Sequence, residues 1–209
     1  MFITFEGIDF CGKSTQVELL KNFLLQKGKK VIVIREPGGT KISERIREIL
    51  LDKKNEEMQF ETEFLLFSAS RSQLVREVIA PNLEKGFVVI SDRFHDSSTA
   101  YQGYGRGLDI QKIKVINSFA IGRFVPNLTF LIDIPVEESI KRKLLKSNDE
   151  LDRIEISSKK FFNNVRNGYL EIAKEESRFT IIDGTQSIEK IHNQIIDKII
   201  LMKGLIDEK

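Results

Sequence analysis

Apolar residues occur along this chain in short runs that alternate with longer amphipathic stretches. Between the runs, helical periodicity covers 13–27, 41–52, 61–84, 110–122, 135–146, 156–175 and 187–203. Most of the runs are apolar on successive positions, as strands buried on both faces of a parallel sheet are. They are FITFE at 2–6, VIVI at 31–34, FVVIS at 87–91, LTFLID at 128–133 and FTIID at 179–183. This alternation predicts an α/β fold, with a parallel sheet flanked on both faces by helices.

A sheet of this kind binds its ligands at the carboxyl ends of the strands. The conspicuous polar and glycine-rich segments follow the first three runs and so fall at that edge. A further polar stretch, KSNDELDRIE at 146–155, mixes both charges and has no apolar face. It fits either a solvated loop or a mobile lid over the ligand, and the pattern leaves both open.

Composition limits the class of protein. The 209 residues fit one domain over 1–209, and 33 basic against 31 acidic residues give no overall charge that favours a nucleic-acid or bilayer surface. The single cysteine, Cys11, excludes an internal disulfide. No apolar run reaches about eighteen residues, and no leader precedes Phe2. We therefore expect a cytoplasmic protein without nucleic-acid or membrane partners.

The segment GIDFCGKS at 7–14 matches a phosphate-binding loop, which has a glycine, four residues and then Gly-Lys-Ser. It lies between the first predicted strand and the first predicted helix, as that motif requires. Gly7 and Gly12 permit the backbone angles and the close approach that surround a polyphosphate. Lys13 can reach the β- and γ-phosphates, and the Ser14 hydroxyl can ligate Mg²⁺. The loop predicts nucleotide binding but not the fate of the phosphate.

Asp92 and Arg93 follow the predicted strand at 87–91. In proteins with this loop, an aspartate at the end of a second buried strand holds the Mg²⁺ shell. A guanidinium binds phosphate oxygens in bidentate geometry. The alternative is an ordinary surface ion pair. Beside a phosphate loop, we interpret Asp92 as a catalytic metal-site residue and Arg93 as a catalytic phosphate ligand.

Two classes of protein use such a loop: switches or motors that hydrolyse the γ-phosphate, and kinases that transfer it. The sequence has no N-K-x-D signature of guanine binding, and Asp92 is followed by Arg-Phe rather than by the D-x-x-G of GTPase switches. More cations than one triphosphate needs favour a second phosphate, and therefore a kinase. The additional arginines, in polar and glycine-rich segments, are Arg35, Arg71, Arg93 and Arg106.

Five segments resemble motifs of the bacterial thymidylate kinase family, in the same order and over nearly the whole chain. They are FEGIDFCGKST, REPGGT, LLFSASRSQLV, SDRFHDSSTAYQGYGRGL and ELDRIE. The resemblance implies a P-loop NTPase fold with a five-stranded parallel sheet and a short lid at about 146–155. It implies a homodimer that transfers the γ-phosphoryl group of ATP to dTMP with Mg²⁺, giving dTDP for dTTP synthesis. The alternatives are a kinase for dUMP or a deoxynucleoside, or a nucleotide-hydrolysing switch.

The resemblance implies where the acceptor base binds. Phe67 matches the aromatic residue that stacks on thymine, and Arg71 matches the arginine that bonds the base edge. Their spacing puts both on one helical face. Without the family, Phe64 and Phe67 would be assigned to the core, but an arginine on the same stripe argues against plain core packing.

Other acceptor residues surround Arg93, which matches the ligand of the acceptor phosphate. Tyr101 resembles the residue that leaves no room for a ribose 2′-OH, and Asp9 the acid that meets the 3′-OH. Pro37 matches a proline that follows a cis peptide. Taken alone, the serine-rich stretch after Arg93 would be a solvated loop. The remaining acceptor residues that the resemblance implies are Glu36, Ser97, Ser98 and Gln102.

For the donor, Arg142 resembles the arginine that packs on adenine, and Thr185 lies in DGTQ, which resembles the adenine loop. Taken alone, Arg142 would be a charge on a helix surface. The other ATP-binding residues that the motif and the family imply are Gly7, Asp9, Gly12, Lys13, Ser14 and Thr15.

The reaction requires cations rather than a general base, because an acceptor phosphate is mostly a dianion at neutral pH. Family members place an extra catalytic arginine in the phosphate loop or in the lid, and the loop position has Phe10. We therefore expect Arg153 to supply this catalytic cation from the lid, with Lys146 as helper. The Phe10 ring either covers the phosphates or packs outward. Cys11 is either a reactive thiol at the helix start or a small bystander.

Overall fold

The computed structural model describes residues 1–145 and 151–202. Five strands occur in these residues: β1 Phe2–Glu6, β2 Val31–Arg35, β3 Val88–Asp92, β4 Leu128–Asp133 and β5 Phe179–Asp183. All pair in parallel, in the order β2-β3-β1-β4-β5. Each strand lies within one residue of a predicted apolar run. The predicted α/β class with a five-stranded parallel sheet is confirmed.

The register of the sheet brings several strand ends together. Phe5 of β1 pairs with Asp92 of β3 on one side and with Phe130 of β4 on the other. Arg35, the last residue of β2, also pairs with Asp92. Glu6 and Asp92 therefore end neighbouring strands, at the edge where a parallel α/β sheet binds ligands.

Helices connect the strands. Those in the described residues are α1 Lys13–Gln26, α2 Lys41–Leu51, α3 Phe60–Leu74, α4 Ala80–Glu84, α5 His95–Ser98, α6 Ile110–Ile121, α7 Val136–Leu145, α8 Lys159–Glu175 and α9 Ile188–Ile200. α8 begins three residues later than its pattern predicted, because the Ser158 hydroxyl accepts from the Phe161 amide at 3.2 Å and caps the helix there. The predicted ends at 146 and 203 lie outside the described residues.

The helix predicted over 61–84 is continuous, but its hydrogen-bond register changes within it. α3 passes into a π-helical segment, Val75–Ile79, and α4 then begins at Ala80. Pro81 follows this segment and has no N–H to donate to the preceding turn, so the regular α-helical pattern is interrupted beside it. A single apolar periodicity runs through all three pieces, so the sequence pattern does not reveal the change of hydrogen-bond register.

A second π-helical segment, Thr99–Gly105, follows α5. The solvated-loop alternative for this serine-rich region is therefore wrong. Ser98, Tyr101 and Gln102 are buried, because their polar atoms find partners inside the protein rather than in water. Segments of this kind occur often at functional sites.

Apolar side chains cover the sheet on both faces. Phe2 packs in a cluster with Leu74 and Ile121, next to α3 and α6. Its neighbour Ile3 points to the opposite face and packs in a cluster with Leu20 of α1. None of the helices in residues 1–145 and 151–202 combines the length and the apolar character needed to cross a bilayer.

Candidate active site

The phosphate loop joins β1 to α1 at the carboxyl edge of the sheet. Gly7 has φ 136° and Gly12 φ 101°, and a Cβ at Gly7 would lie 2.5 Å from the Ile132 carbonyl oxygen, so this position requires glycine. No side chain caps the first turn of α1. Its amides remain available to an anion, and the helix dipole favours negative charge there.

Lys13 is held against the loop. Its Nζ donates to the carbonyl oxygens of Gly7 at 3.1 Å and Ile8 at 3.0 Å, and approaches the sulfur of Cys11 at 3.6 Å. The lysine side chain is buried, so its charge is concentrated at the loop. Cys11 is a buried free thiol that packs against the loop, which favours the bystander interpretation.

Ser14 and Asp92 meet at the mouth of the loop. The Ser14 hydroxyl donates to Asp92 Oδ2 at 2.7 Å, so a ligand oxygen and its carboxylate partner already lie together. Oxygen donors of this kind suit Mg²⁺, which usually takes few protein ligands and completes its shell with water and phosphate oxygens. Residues 1–145 and 151–202 contain no cluster of three His, Cys, Asp or Glu side chains that would hold a metal alone.

Arg93 lies at the centre of a dense polar network. Its Nη2 donates to Asp9 Oδ1 at 2.5 Å and to the Tyr101 hydroxyl at 3.1 Å. Its Nη1 donates to the Gly7 carbonyl at 2.9 Å. The guanidinium also lies 5.0 Å from the centre of the Tyr101 ring, within cation–π range. Arg93 and Asp9 are thus fixed before any ligand arrives.

The positive charges in this network lower the pKa of Asp9. Burial alone would raise the pKa of Asp9, but the positive charges of Arg93 and Lys13 outweigh burial and hold that pKa below its usual value. Asp9 is therefore ionised at neutral pH. A carboxylate beside the phosphate loop can accept a hydrogen bond from a substrate hydroxyl.

Glu6 supports the turn that carries Arg93, and sequence reasoning missed it. Arg93 has φ 68°, a left-handed conformation that is strained for a side chain of this size. Glu6 fixes the turn by accepting from the Phe94 amide at 2.8 Å and the Ser97 hydroxyl at 2.6 Å. It also accepts from the Tyr169 hydroxyl at 2.8 Å. The available signal was a glutamate ending an otherwise apolar strand.

A cavity of about 270 Å³ opens beside Arg93, and we call it the acceptor cavity. Most of the predicted acceptor residues line it: Asp9, Glu36, Pro37, Phe67, Arg93, Ser97, Ser98, Tyr101 and Gln102. The peptide bond between Glu36 and Pro37 is cis, as the family resemblance implied. The metal-site candidates Ser14 and Asp92 also line it, as does Arg35, one of the additional arginines in the sequence. Lining residues that sequence reasoning did not assign to any part of the site are Arg47, Leu51, Asp152, Ile154 and Glu155.

Arg71 lies behind the wall of this cavity instead of in it. Its guanidinium donates to Glu36 at 2.8 Å, Asn117 at 2.9 Å and Ser98 at 3.0 Å. The side chain is only 1% exposed. In this arrangement Arg71 fixes two lining residues, Glu36 and Ser98. A hydrogen bond from Arg71 to a base stays a prediction.

A second cavity of about 560 Å³, the donor cavity, lies on the other side of the phosphate loop. Arg142 lines it and donates to the carbonyls of Gly184 at 2.9 Å and Cys11 at 3.4 Å. Thr185 follows Gly184 and bonds Asp183 through its amide and hydroxyl at 2.9 and 2.6 Å. Besides Arg142, the predicted ATP residues that line the cavity are Asp9, Gly12, Lys13, Ser14 and Thr15, whereas Gly7 and Thr185 are not in the lining.

Phe10 belongs to the phosphate loop and lies next to residues of α7. It has φ 61° and lines the donor cavity. It also lines a small recess of mixed polarity, where its apolar neighbours are Val136, Ile140 and Phe162. Whether the ring covers the phosphates or packs outward stays a prediction.

The structure does not bring Arg153 to the phosphate loop. Arg153 is buried, and its Nη2 donates to Glu63 Oε2 at 2.5 Å while its Nε donates to the Leu50 carbonyl at 2.9 Å. The reason is that the buried carboxylate of Glu63 on α3 forms an ion pair with the guanidinium. Lys146 and residues 146–150 of the predicted lid lie outside the described residues.

Comparisons with known proteins identify the family. The model of the family described as Thymidylate kinase matches residues 5–195. A thymidylate kinase of Kosmotoga olearia is 53% identical over 203 residues, covering 96% of each chain. One from Fervidobacterium nodosum is 50% identical over 196 residues, covering 94% of this chain and 96% of the other.

A solved structure agrees. The crystal structure of thymidylate kinase from Ehrlichia chaffeensis has a TM-score of 0.77 to this chain, at 35% identity. The match covers 97% of this chain and 98% of that chain. The chain therefore belongs to the thymidylate kinase family.

Proposed function

We propose that this chain transfers the γ-phosphoryl group of ATP to dTMP and so forms dTDP. The observation that carries the proposal is that the two cavities share one group of charged and polar side chains. The donor and acceptor cavities share Asp9, Ser14, Asp92, Arg93 and Glu155. A phosphate bound in the donor cavity would therefore face a phosphate bound in the acceptor cavity across the same few side chains.

The reaction needs alignment and charge neutralisation more than proton transfer. The second pKa of a phosphate monoester is about 6, so the acceptor phosphate is mostly a dianion at neutral pH. Two polyanions repel, and fixed cations lower the barrier by neutralising charge as the phosphoryl group moves. Lys13 and Arg93 are the proposed cations. Their hydrogen bonds to the loop already hold them in position.

Ser14 and Asp92 are the proposed magnesium residues, with Ser14 as the ligand and Asp92 behind it. Mg²⁺ bound there would neutralise charge on the β- and γ-phosphates. The short hydrogen bond between Ser14 and Asp92 supports the pairing, because the carboxylate orients the hydroxyl oxygen.

The acceptor cavity has features that suit a thymine deoxynucleotide. Phe67 offers a ring for stacking on the base, and Tyr101 forms a rigid wall. Tyr101 is 6% exposed, and its hydroxyl lies 3.1 Å from both Asp9 and Arg93, so the ring cannot move aside for an extra 2′-hydroxyl without breaking two bonds. Asp9 is the proposed acceptor for the 3′-hydroxyl.

A homodimer and a cytoplasmic location are further parts of the proposal. Exposed apolar side chains occur on α2, α3 and α6, which pack next to one another. Phe119 is the most exposed, at 80%. Burying such residues against a second copy would remove apolar surface from water. The exposed apolar residues on these three helices are Ile42, Ile49, Phe60, Leu65, Val115 and Phe119.

A coupled ADP-release assay tests the proposal. With ATP and Mg²⁺, we offer dTMP, dUMP, ribose TMP, thymidine or no acceptor. Turnover that requires dTMP supports the proposal, and Lys13→Met should abolish it. Fast turnover of thymidine, or equal ADP release without acceptor, contradicts it and favours a nucleoside kinase or a hydrolysing switch.

A further inference from the structure

Residues 152–157 form a compact turn before α8, which we call the anchored turn. Asp152 Oδ1 accepts from the amides of Ile154 and Glu155 at 2.8 and 2.9 Å. Glu155 Oε2 accepts in return from the Asp152 amide at 2.9 Å. Asp152, Ile154 and Glu155 also line the acceptor cavity. The anchored turn is therefore a wall of that cavity whose internal hydrogen bonds fix its own shape.

Arg153 fastens the anchored turn to the body of the protein. Its Nε and its amide donate to the carbonyls of Leu50 and Leu51 at 2.9 and 3.3 Å, at the end of α2. Its Nη2 donates to Glu63 on α3 at 2.5 Å. The Arg153 side chain is 8% exposed.

Glu63 connects the anchored turn to the opposite wall of the acceptor cavity. Its side chain is 0% exposed, and Oε1 accepts at 2.9 Å from Gln102, which lines the cavity. Arg106 donates to both carboxylate oxygens at 3.3 Å. Burial alone would raise the pKa of Glu63, but Arg106, Gln102 and Arg153 outweigh burial and lower that pKa. Glu63 is thus a buried, charged acceptor with partners on two walls.

We propose that the Glu63–Arg153 ion pair positions the two walls of the acceptor cavity, and that Arg153 is a positioning residue instead of a cation in the transition state. The inference rests on the proposed function, because it takes dTMP as the acceptor. Removing either partner leaves the other charge buried and unpaired. The anchored turn then loses its ion pair to α3. Binding of dTMP has to order the turn, and the dTMP affinity falls.

The test compares Arg153→Met, Glu63→Gln and the double variant with the wild type. Steady-state rates are measured with dTMP and ATP varied in turn, and calorimetry measures dTMP affinity without ATP. Each single variant should raise the KM and Kd for dTMP about tenfold, since ordering even one backbone residue costs that much affinity. The kcat and the KM for ATP should stay nearly unchanged. The double variant should lose less than the product of the single effects.

The opposite pattern would overturn the inference. If Arg153 neutralised the moving phosphoryl group, Arg153→Met would lower kcat by about a thousandfold or more, as loss of an arginine finger does. Its dTMP affinity would be unchanged, and Glu63→Gln would behave like wild type. Failure of the proposed function is a separate result, because the wild type itself would then show no dTMP turnover.

A matched control separates positioning from general destabilisation. Arg178 is 10% exposed and pairs with Asp96 at 2.7 Å, and neither residue lines the acceptor or the donor cavity. Arg178→Met should lower thermal stability and leave dTMP affinity unchanged. If Arg153→Met does not fold, Arg153→Lys replaces it, because a lysine keeps the charge but lacks the guanidinium fork. A raised dTMP KM then supports the inference, and a lowered kcat with normal KM overturns it.

Discussion

Replacing Glu6 with glutamine should change how the stability of the fold depends on pH. Glu6 is fully buried and accepts hydrogen bonds from the Phe94 amide and the hydroxyls of Ser97 and Tyr169. Burial, together with the negative charge of Asp96, raises the pKa of Glu6 from 4.5 to about 7. Glutamine has nearly the same shape, can accept from the amide and donate to the hydroxyl oxygens, and does not titrate.

The direction of the pH effect on stability follows from the number of protons that the folded and unfolded states bind. Between pH 4.5 and about 7, the folded protein keeps a proton on Glu6 that the unfolded chain has released. The unfolding free energy of the wild type therefore falls as the pH rises through this window, by about 3 kcal/mol. The Glu6→Gln variant does not lose this unfolding free energy, because glutamine does not titrate. The unfolding free energy of the variant minus that of the wild type should rise by the same amount.

Urea unfolding at several pH values, below, within and above this window, measures the difference. All other titrating groups are present in both proteins, so the comparison isolates Glu6. Glu56→Gln, at an exposed position, controls for the change of charge. Parallel stability curves for wild type and Glu6→Gln, or a difference that falls with rising pH, would refute the reasoning.

Three further predictions concern magnesium, the base and assembly. Asp92→Asn should raise the Mg²⁺ concentration for half-maximal rate about 10–100-fold, because it removes the carboxylate charge behind Ser14; an unchanged Mg²⁺ titration contradicts this. Phe67→Ala should weaken dTMP binding by about 1–3 kcal/mol through lost stacking and leave ATP binding unchanged, as calorimetry with each nucleotide checks. Phe119→Glu should yield monomers in sedimentation velocity, whereas Leu25→Glu on α1 should not; identical masses for all three proteins contradict the proposed interface.

The strands and the phosphate loop could be predicted because their signals are local. FITFE is a short run rich in aromatic and β-branched residues, and GIDFCGKS follows it directly. The strand, the loop and the following helix can therefore be predicted from one segment. The π-helical segments Val75–Ile79 and Thr99–Gly105 could not be predicted, since a shift in hydrogen-bond register leaves the apolar periodicity nearly intact.

Long-range pairs explain what sequence reasoning missed in the site. Arg153 and Glu63 are 90 positions apart, and Arg93 and Tyr169 are 76 apart. Nothing near Arg153 in the sequence indicates that a buried carboxylate on α3 is its partner. An arginine beside a predicted lid therefore suggested a phosphate ligand, although the folded chain turns it toward α2 and α3.

The most direct test of the central claim follows the phosphate itself. Enzyme in excess is mixed with γ-³²P-ATP, Mg²⁺ and dTMP for a single turnover, and the products are separated. The account predicts that the label appears in dTDP, with little in inorganic phosphate, and that Lys13→Met transfers none. Label released mainly as inorganic phosphate, at a rate that dTMP does not change, would contradict the account.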